Sequence, residues 1–226
     1  LERSTTGLSP TDQGQRFYAR AKLVLEEFNE AVADAQGQTG QATGLLRVNA
    51  PVALGQFRLN ALVQEFLKQY PDVDIELILN DRFVDLVEEG VDVALRLGGN
   101  LPPNVIARRI GVAPRLLVAA PAYLESHGAL EHPSDLANHN YVRFAWLASG
   151  DEVELHNAGT RVSVPTKGRF RVNNALSIRE TLAMGAGVGL CPAWLVDDLL
   201  RSGQLVHVLP GWTGAPQELF VMYPSR

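Results

Sequence analysis

Leu45-Leu46-Arg47-Val48-Asn49-Ala50 runs into Pro51, and Val73-Asp74-Ile75-Glu76-Leu77-Ile78-Leu79 comes after one stretch of helical spacing. The first run reads as a buried strand. The second alternates apolar and polar residues, as a strand does. Between them Phe57, Leu59, Leu62, Val63, Phe66 and Leu67 recur at helical intervals, from Leu54 until Tyr70 meets Pro71. A short helix is expected over 83–89, closed by Gly90, and a third strand over 91–97, closed by Gly98-Gly99. Strand, helix, strand, helix, strand implies a parallel sheet with right-handed crossovers. Val105–Ile110 and Arg115–Ala120 read as two further strands.

From Pro121 the pattern starts afresh. Ala122–His127 reads as a helix, Asp135-Leu136 as a turn, and Tyr141–Phe144 as a strand. Asp151–His156 and Thr160–Val164 form a hairpin through Asn157-Ala158-Gly159, and Phe170–Val172 is a strand. Asn174 caps a helix over Ala175–Met184, Gly187–Cys191 is a strand, and Pro192–Arg201 is a helix ended by Gly203. Leu205–Leu209 and the closing run Glu218–Tyr223 are β-prone. Two consecutive βαβ sets imply an α/β chain of two Rossmann-like lobes, 45–120 completed by 216–226, and 121–215. Their strand ends face one crevice, where open α/β sheets bind ligands.

Ahead of the lobes, Leu8-Ser9-Pro10-Thr11-Asp12-Gln13-Gly14 opens another helix. Ser9 suits the N-cap, Pro10 the first helical position and Asp12 the capping acid. Phe17, Ala21, Val24, Phe28, Ala31 and Ala35 then recur every three or four residues, a heptad seam narrow enough for one partner helix. The alternative for such a stripe is docking on the chain's own core. The helix is expected over 10–36. The glycine-rich stretch 37–44 then acts as a hinge.

With 226 residues, 46% of them hydrophobic, the chain can bury a sizeable core. A net charge of -5 argues against the bulk of it gripping nucleic acid directly. Cys191 is the only cysteine, so no internal disulfide forms. No apolar run approaches the roughly 20 residues that span a bilayer, and no secretory h-region precedes the first helix. The expectation is a cytoplasmic protein without membrane contact, and Leu1 reads as a point inside a longer polypeptide.

Little in the sequence points to catalysis. Gly185-Ala186-Gly187-Val188-Gly189 lies between a helix and a strand, the reverse of a phosphate-cradling order, and reads as a helix C-cap with close backbone packing. His127, His132, His139, His156 and His207 lack ligand-type spacing, so neither a metal site nor a cofactor is expected. Cys191 has no flanking base and reads as a packed thiol. An enzyme is not indicated. Binding falls to the strand ends: Val52, Ala53, Leu54 and Gln56 after the first strand, Asn173 and Asn174 from the second lobe, and Pro192 at a third helix start. Backbone N–H groups there favour an anionic ligand group. Arg96 offers either a carboxylate clamp or a structural ion pair with Asp92 or Asp85. Phe144 offers either core or pocket wall.

These stretches resemble the LysR-type transcriptional regulators over nearly the whole chain. Arg3-Ser4-Thr5 with Leu8 to Phe17 resembles the family's wing strand and linker helix, and Gly44 to Pro51 its first sensor strand. Asp85 to Gly98, Gly185 to Leu190 and Gly203-Gln204-Leu205-Val206 resemble further family segments. The resemblance implies a winged helix-turn-helix ahead of Leu1, of which residues 1–9 are a remnant. Operator DNA would be bound through that domain. It also implies two effector lobes of periplasmic-binding-protein type, homodimers or homotetramers, and RNA polymerase as a further partner. The family's co-inducer cleft maps to Val52–Gln56, to Arg96, Leu97 and Gly98, to Phe144, to Asn173 and Asn174, and to Pro192. The family's usual Ser or Thr after the first sensor strand is replaced here by Val52, Ala53 and Leu54. A transporter's solute-binding receptor shares the lobe pattern and stands as the alternative.

Overall fold

A computed structural model describes residues 2–4, 7–9, 42–82, 85–98, 101, 105–145 and 150–224, with positions 11, 13, 14, 16–18, 20, 21, 24, 25 and 28 of the leading segment. Glu2–Ser4 (β1) and Gly7–Ser9 (β2) pair antiparallel. Positions 13, 14, 16–18, 20, 21, 24, 25 and 28 are helical, as the seam requires. On that helix Phe17, Val24 and Phe28 are 73%, 65% and 64% exposed, so the seam is not closed by the chain's own globule. Ala21 is half-buried, and Ala31 and Ala35 lie outside the described residues, as does most of the hinge.

The main sheet starts with Gly44–Ala50 (β3), paired in parallel with Val73–Leu79 (β4) on one side and Val93–Leu97 (β5) on the other. The helical run 52–69 (α1) crosses from β3 to β4. It begins as a turn over Val52–Leu54, widens into a π segment over Gly55–Leu59, and continues as an α-helix over Asn60–Gln69. The π segment has no sequence signature.

Past β4 the chain makes a single turn in place of the expected helix. Residues 86–90 form that turn, fixed because Asp85 Oδ1 accepts from the N–H groups of Val87 (2.9 Å) and Glu88 (3.1 Å). Gly90 then takes φ +62°, a left-handed conformation that ends the turn. Phe83 and Val84, inside the expected helix, lie outside the described residues.

Val105–Ala119 (β6) is one strand of 15 residues where the sequence suggests two. Its partner Thr213–Pro224 (β13) runs antiparallel beside it, with a register shift between Gly214 and Gln217. That shift leaves Pro114 and Pro216 outside the ladder, where neither needs the N–H it lacks. β13 also pairs with β5, giving the order β4-β3-β5-β13-β6. The far end of β6 pairs antiparallel with Val188–Pro192 (β11) and with Val206–His207 (β12). One sheet thus runs through both lobes, carried across by β6 and β13.

The second lobe closes around that far end. Arg143–Phe144 (β7) and Arg171–Val172 (β10) form a parallel pair, tied to β11 by a bridge between Tyr141 and Val188. Glu152–Asn157 (β8) and Thr160–Pro165 (β9) form the expected hairpin. Its turn is tight: Ala158 and Gly159 take φ +44° and +88°. Helices Pro121–His127 (α2), Ala175–Ala183 (α3) and Ala193–Arg201 (α4) pack on the two faces of the sheet. Leu117 and Ala119 point into a core with Tyr123, Leu136 and Leu155, while Val118 and Ala120 enter another with Ile178, Leu182, Leu195 and Val196. Among the described residues, no helix is long and apolar enough to cross a membrane.

Candidate functional site

The order β4-β3-β5 places chain neighbours on opposite sides of β3, and a crevice lies at the carboxyl ends of β3 and β4. Pro51-Val52 leaves β3 there, and Asn80-Asp81-Arg82 leaves β4. From the second lobe Asn173-Asn174 leads into α3. Together Val52, Ile78, Leu79, Asn80, Asp81, Arg82, Asn173 and Asn174 line a cleft of about 340 Å³. That volume suits a small organic molecule. Its lining is apolar at Val52, Ile78 and Leu79, and otherwise made of amides and charges.

Hydrogen bonds hold this lining in order. Asn80 donates its N–H to the Ala50 carbonyl (2.9 Å), and its Oδ1 accepts from the Arg82 N–H (2.7 Å). The intervening Asp81 turns toward the start of α1, where its Oδ1 accepts from the Val52 N–H at 3.1 Å. Asn174 caps α3, its Oδ1 accepting from the Ser177 N–H at 3.0 Å. That bond fixes the amide orientation and directs Nδ2 to Asp81 Oδ2, at 3.3 Å. Asp81 and Asn174 therefore link the two lobes across the crevice.

Beneath them, Arg96 is 4% exposed, near the end of β5. Its guanidinium donates to the Leu95 carbonyl (2.8 Å), to the Arg82 carbonyl (3.2 Å) and to Asn49 Oδ1. Burial lowers the Arg96 pKa from its ordinary value, and the Asp81 carboxylate opposes that shift. Asn49 is fully buried, and its Nδ2 has no hydrogen-bond partner among the described residues. The two acids weighed from the sequence as Arg96 partners are engaged locally: Asp92 accepts from the Arg47 N–H (2.8 Å), and Asp85 holds the turn after it.

The π segment forms a second link between lobes. Gly55 lies so close to β4 that a Cβ there would fall 2.2 Å from Leu79 Cδ2, so any larger residue obliges the Leu79 side chain to move. The widened turn then sets the Phe57 ring against the Arg179 guanidinium, 5.0 Å from its centroid, and Arg58 Nη2 donates to the Trp194 carbonyl at 3.3 Å. Arg179 is anchored from its own lobe by the Leu195 carbonyl, Glu180 and Asp198.

Of the residues expected from sequence, Val52, Asn173 and Asn174 meet in the cleft lining. Ala53 and Leu54 are buried, Ala53 within the second lobe's core. Gln56 is exposed on the π segment. Arg96 lies under the lining, and Leu97 and Gly98 continue β5, with the Gly98 N–H donated to the Glu218 carbonyl at 2.7 Å. Phe144 packs half-buried on the second lobe's core, and Pro192 starts α4. Asn49, Asn80, Asp81 and Arg82 were missed as site residues. Their place at the ends of β3 and β4 was the available signal.

Other candidate chemistry resolves into packing. Gly185 ends α3 with φ +76°, a Cβ at Gly187 would meet the Asn140 carbonyl oxygen at 2.2 Å, and one at Gly189 would meet the Leu182 side chain at 2.8 Å. Burial pushes the Cys191 thiol up to about 12, which keeps it protonated and unreactive. Among the described residues no group of three or more His, Cys, Asp or Glu is placed to hold a metal ion.

A family model described as the LysR substrate binding domain matches residues 39–226. The HTH-type transcriptional regulator PtxR of Pseudomonas aeruginosa is 30% identical over 225 residues, covering all of this chain and 72% of that protein. The HTH-type transcriptional activator AaeR of Escherichia coli is 26% identical over 227 residues, covering all of this chain and 73% of its own length. Among solved structures, the full-length Vibrio cholerae virulence activator AphB superposes with a TM-score of 0.73 at 30% identity, covering 96% of this chain and 74% of that one.

Proposed function

This chain belongs to the LysR family of transcriptional regulators, and on that premise we propose that it links an operator-binding domain to a small-molecule sensor. In this reading residues 1–9 belong to the wing of a winged helix-turn-helix and 10–36 form the dimerising linker. Residues 37–44 are the hinge, 45–120 with 216–226 the first effector lobe, and 121–215 the second. A small organic effector binds between the lobes against Val52, Asn173 and Asn174, with Arg96 beneath. It shifts the geometry of a homodimer or homotetramer on operator DNA, in the cytoplasm, where RNA polymerase reads the outcome.

The observation that carries this reading is the crevice. Strand ends and a capped helix start from two lobes converge on one cleft, and Asp81–Asn174 joins them across it. A ligand that alters that contact alters the angle between lobes. A coupling of about 1–3 kcal/mol suffices to change affinity or DNA bending several-fold. The exposed Phe17, Val24 and Phe28 support pairing through the linker, since each apolar side chain buried there contributes about 1.5–3 kcal/mol.

The experiment is operator affinity and bending by the full-length protein, with and without candidate organic effectors. Affinity or bend angle is expected to shift with one effector class. Absence of DNA binding under every condition removes the proposal. Phe28→Asp is expected to weaken self-association at least about 100-fold by sedimentation, because a twofold contact loses the side chain twice. The solute-receptor alternative predicts a monomer, and the relatives named as regulators weigh against it.

A further inference from the structure

We infer that Asp81 is a tethered competitor for the ligand's anionic group: its carboxylate occupies the donors that a ligand carboxylate would take, so the two exclude each other. The inference rests on the crevice being the effector site, as proposed above. One oxygen of Asp81 accepts from the Val52 N–H at the start of the helical run 52–69, and the other accepts from Asn174 Nδ2 of the opposite lobe. A carboxylate whose two oxygens are held by donors from two lobes is the arrangement expected of a bound organic acid. Here the chain supplies that carboxylate itself, from the turn after β4.

Three observations make this more than a helix cap. The Asn174 amide is oriented by its own bond to Ser177, so its Nδ2 is directed at the Asp81 position before any carboxylate is considered. The buried Arg96 lies under the same cluster, bonded to the carbonyl of Arg82, the residue next to Asp81. Asn49, which holds Arg96, has a fully buried Nδ2 without a hydrogen-bond partner among the described residues. The cluster thus carries a buried donor that its own acceptors leave unsatisfied, a costly arrangement in a region built only to pack.

An incoming carboxylate meets Asp81 as a like charge on the same two donors, and so must displace it rather than sit beside it. Displacement severs the contact to Asn174. Ligand binding and release of this lobe-to-lobe link become one event.

The test is chemical rescue in the full 226-residue chain, with acetate as the probe. Asp81→Ala leaves a space of carboxylate size facing Val52 and Asn174. Sodium acetate, against sodium chloride of equal ionic strength, is expected to raise the Tm of Asp81→Ala saturably. The rise is about 3–6 °C at tenfold excess over Kd, with the wild-type Tm unchanged. Acetamide, of the same shape without the charge, does not do this, and adding Asn174→Ala abolishes the response. Asp81→Asn, which keeps the side-chain shape, shows a smaller acetate response and covers the case in which Asp81→Ala fails to fold. Equal acetate effects on wild type and variants, no effect on either variant, or equal rescue by acetamide overturns the inference. None of these outcomes touches the operator-binding test, so the two readings fail separately.

Discussion

The two lobes bury their apolar residues to different depths. In the second, successive residues of β6 serve opposite faces: Leu117 and Ala119 pack with Tyr123, Leu136, Leu155 and Val188, and Val118 and Ala120 with Ile178, Leu182 and Leu195. Helices or the hairpin cover both sides. In the first lobe the buried cluster is Leu86, Val91, Ala94 and Met222, and the segment Asn60–Gln69 has no fully buried side chain. Leu62, Ile106, Ile110 and Val112 there are 58%, 45%, 52% and 55% exposed. The second lobe has a core on both faces of its sheet, with Phe170 and Met184 exposed outside it. The first keeps apolar surface that neighbouring chains can cover, which fits the oligomer proposed above.

The largest effect expected from this contrast is at Leu182, fully buried between α3 and the sheet. Leu182→Ala is expected to cost about 3–5 kcal/mol by urea unfolding, because neighbours on both sides prevent collapse into the cavity. A loss under about 1 kcal/mol breaks the contrast. Met222→Ala, the corresponding truncation in the first lobe, is expected to cost less, about 2 kcal/mol, because its sparser surroundings can relax inward. Equal losses for the two would mean that the lobes are packed alike.

A smaller effect should accompany a change in pH. Burial, reinforced by His127 and partly opposed by Asp135, holds His139 below its usual pKa. The folded state then takes up the proton less readily than the unfolded one, so stability is present above the ordinary histidine pKa and falls as pH drops below it. His139→Phe is expected to flatten that fall between about pH 7 and 5 in thermal unfolding, and an unchanged slope assigns it to other groups. Smallest of all, Leu62→Gln should leave the unfolding free energy within about 0.5 kcal/mol of wild type, while lowering self-association measured by light scattering. A clearly destabilised monomer would show that Leu62 serves its own lobe.

Strands with continuous or alternating apolar runs were legible: β3, β4 and the β8–β9 hairpin fall where the residues placed them, although β3 is buried only at its carboxyl end, Asn49-Ala50. So was the cap at Asn174, which has a single local partner in Ser177. Features that depend on a neighbour distant in sequence were not. Pro114 reads as a break until the register shift opposite it, between Gly214 and Gln217, lets the strand pass through. The turn at 86–90 has helical periodicity, yet Asp85 closes it after one turn. The π segment answers to Leu79 and to the second lobe, neither of which is local. No local motif singles out Asp81. Its relation to Val52 and Asn174 spans 29 and 93 residues of sequence, beyond any local pattern.

β6 and β13 lie side by side and pass together from one lobe into the other, laced by a ladder whose register shifts around Pro114 and Pro216 and again between Leu219 and Phe220. Two ribbons joined along their edges resist stretching and splaying, but they twist readily, most of all where the lacing is interrupted. The lobes are therefore mounted on a torsion spring whose weakest section is that proline pair. On the function proposed above, an effector in the crevice would act as rotation about the strand axis, and the exposed apolar residues of the first lobe would turn with it.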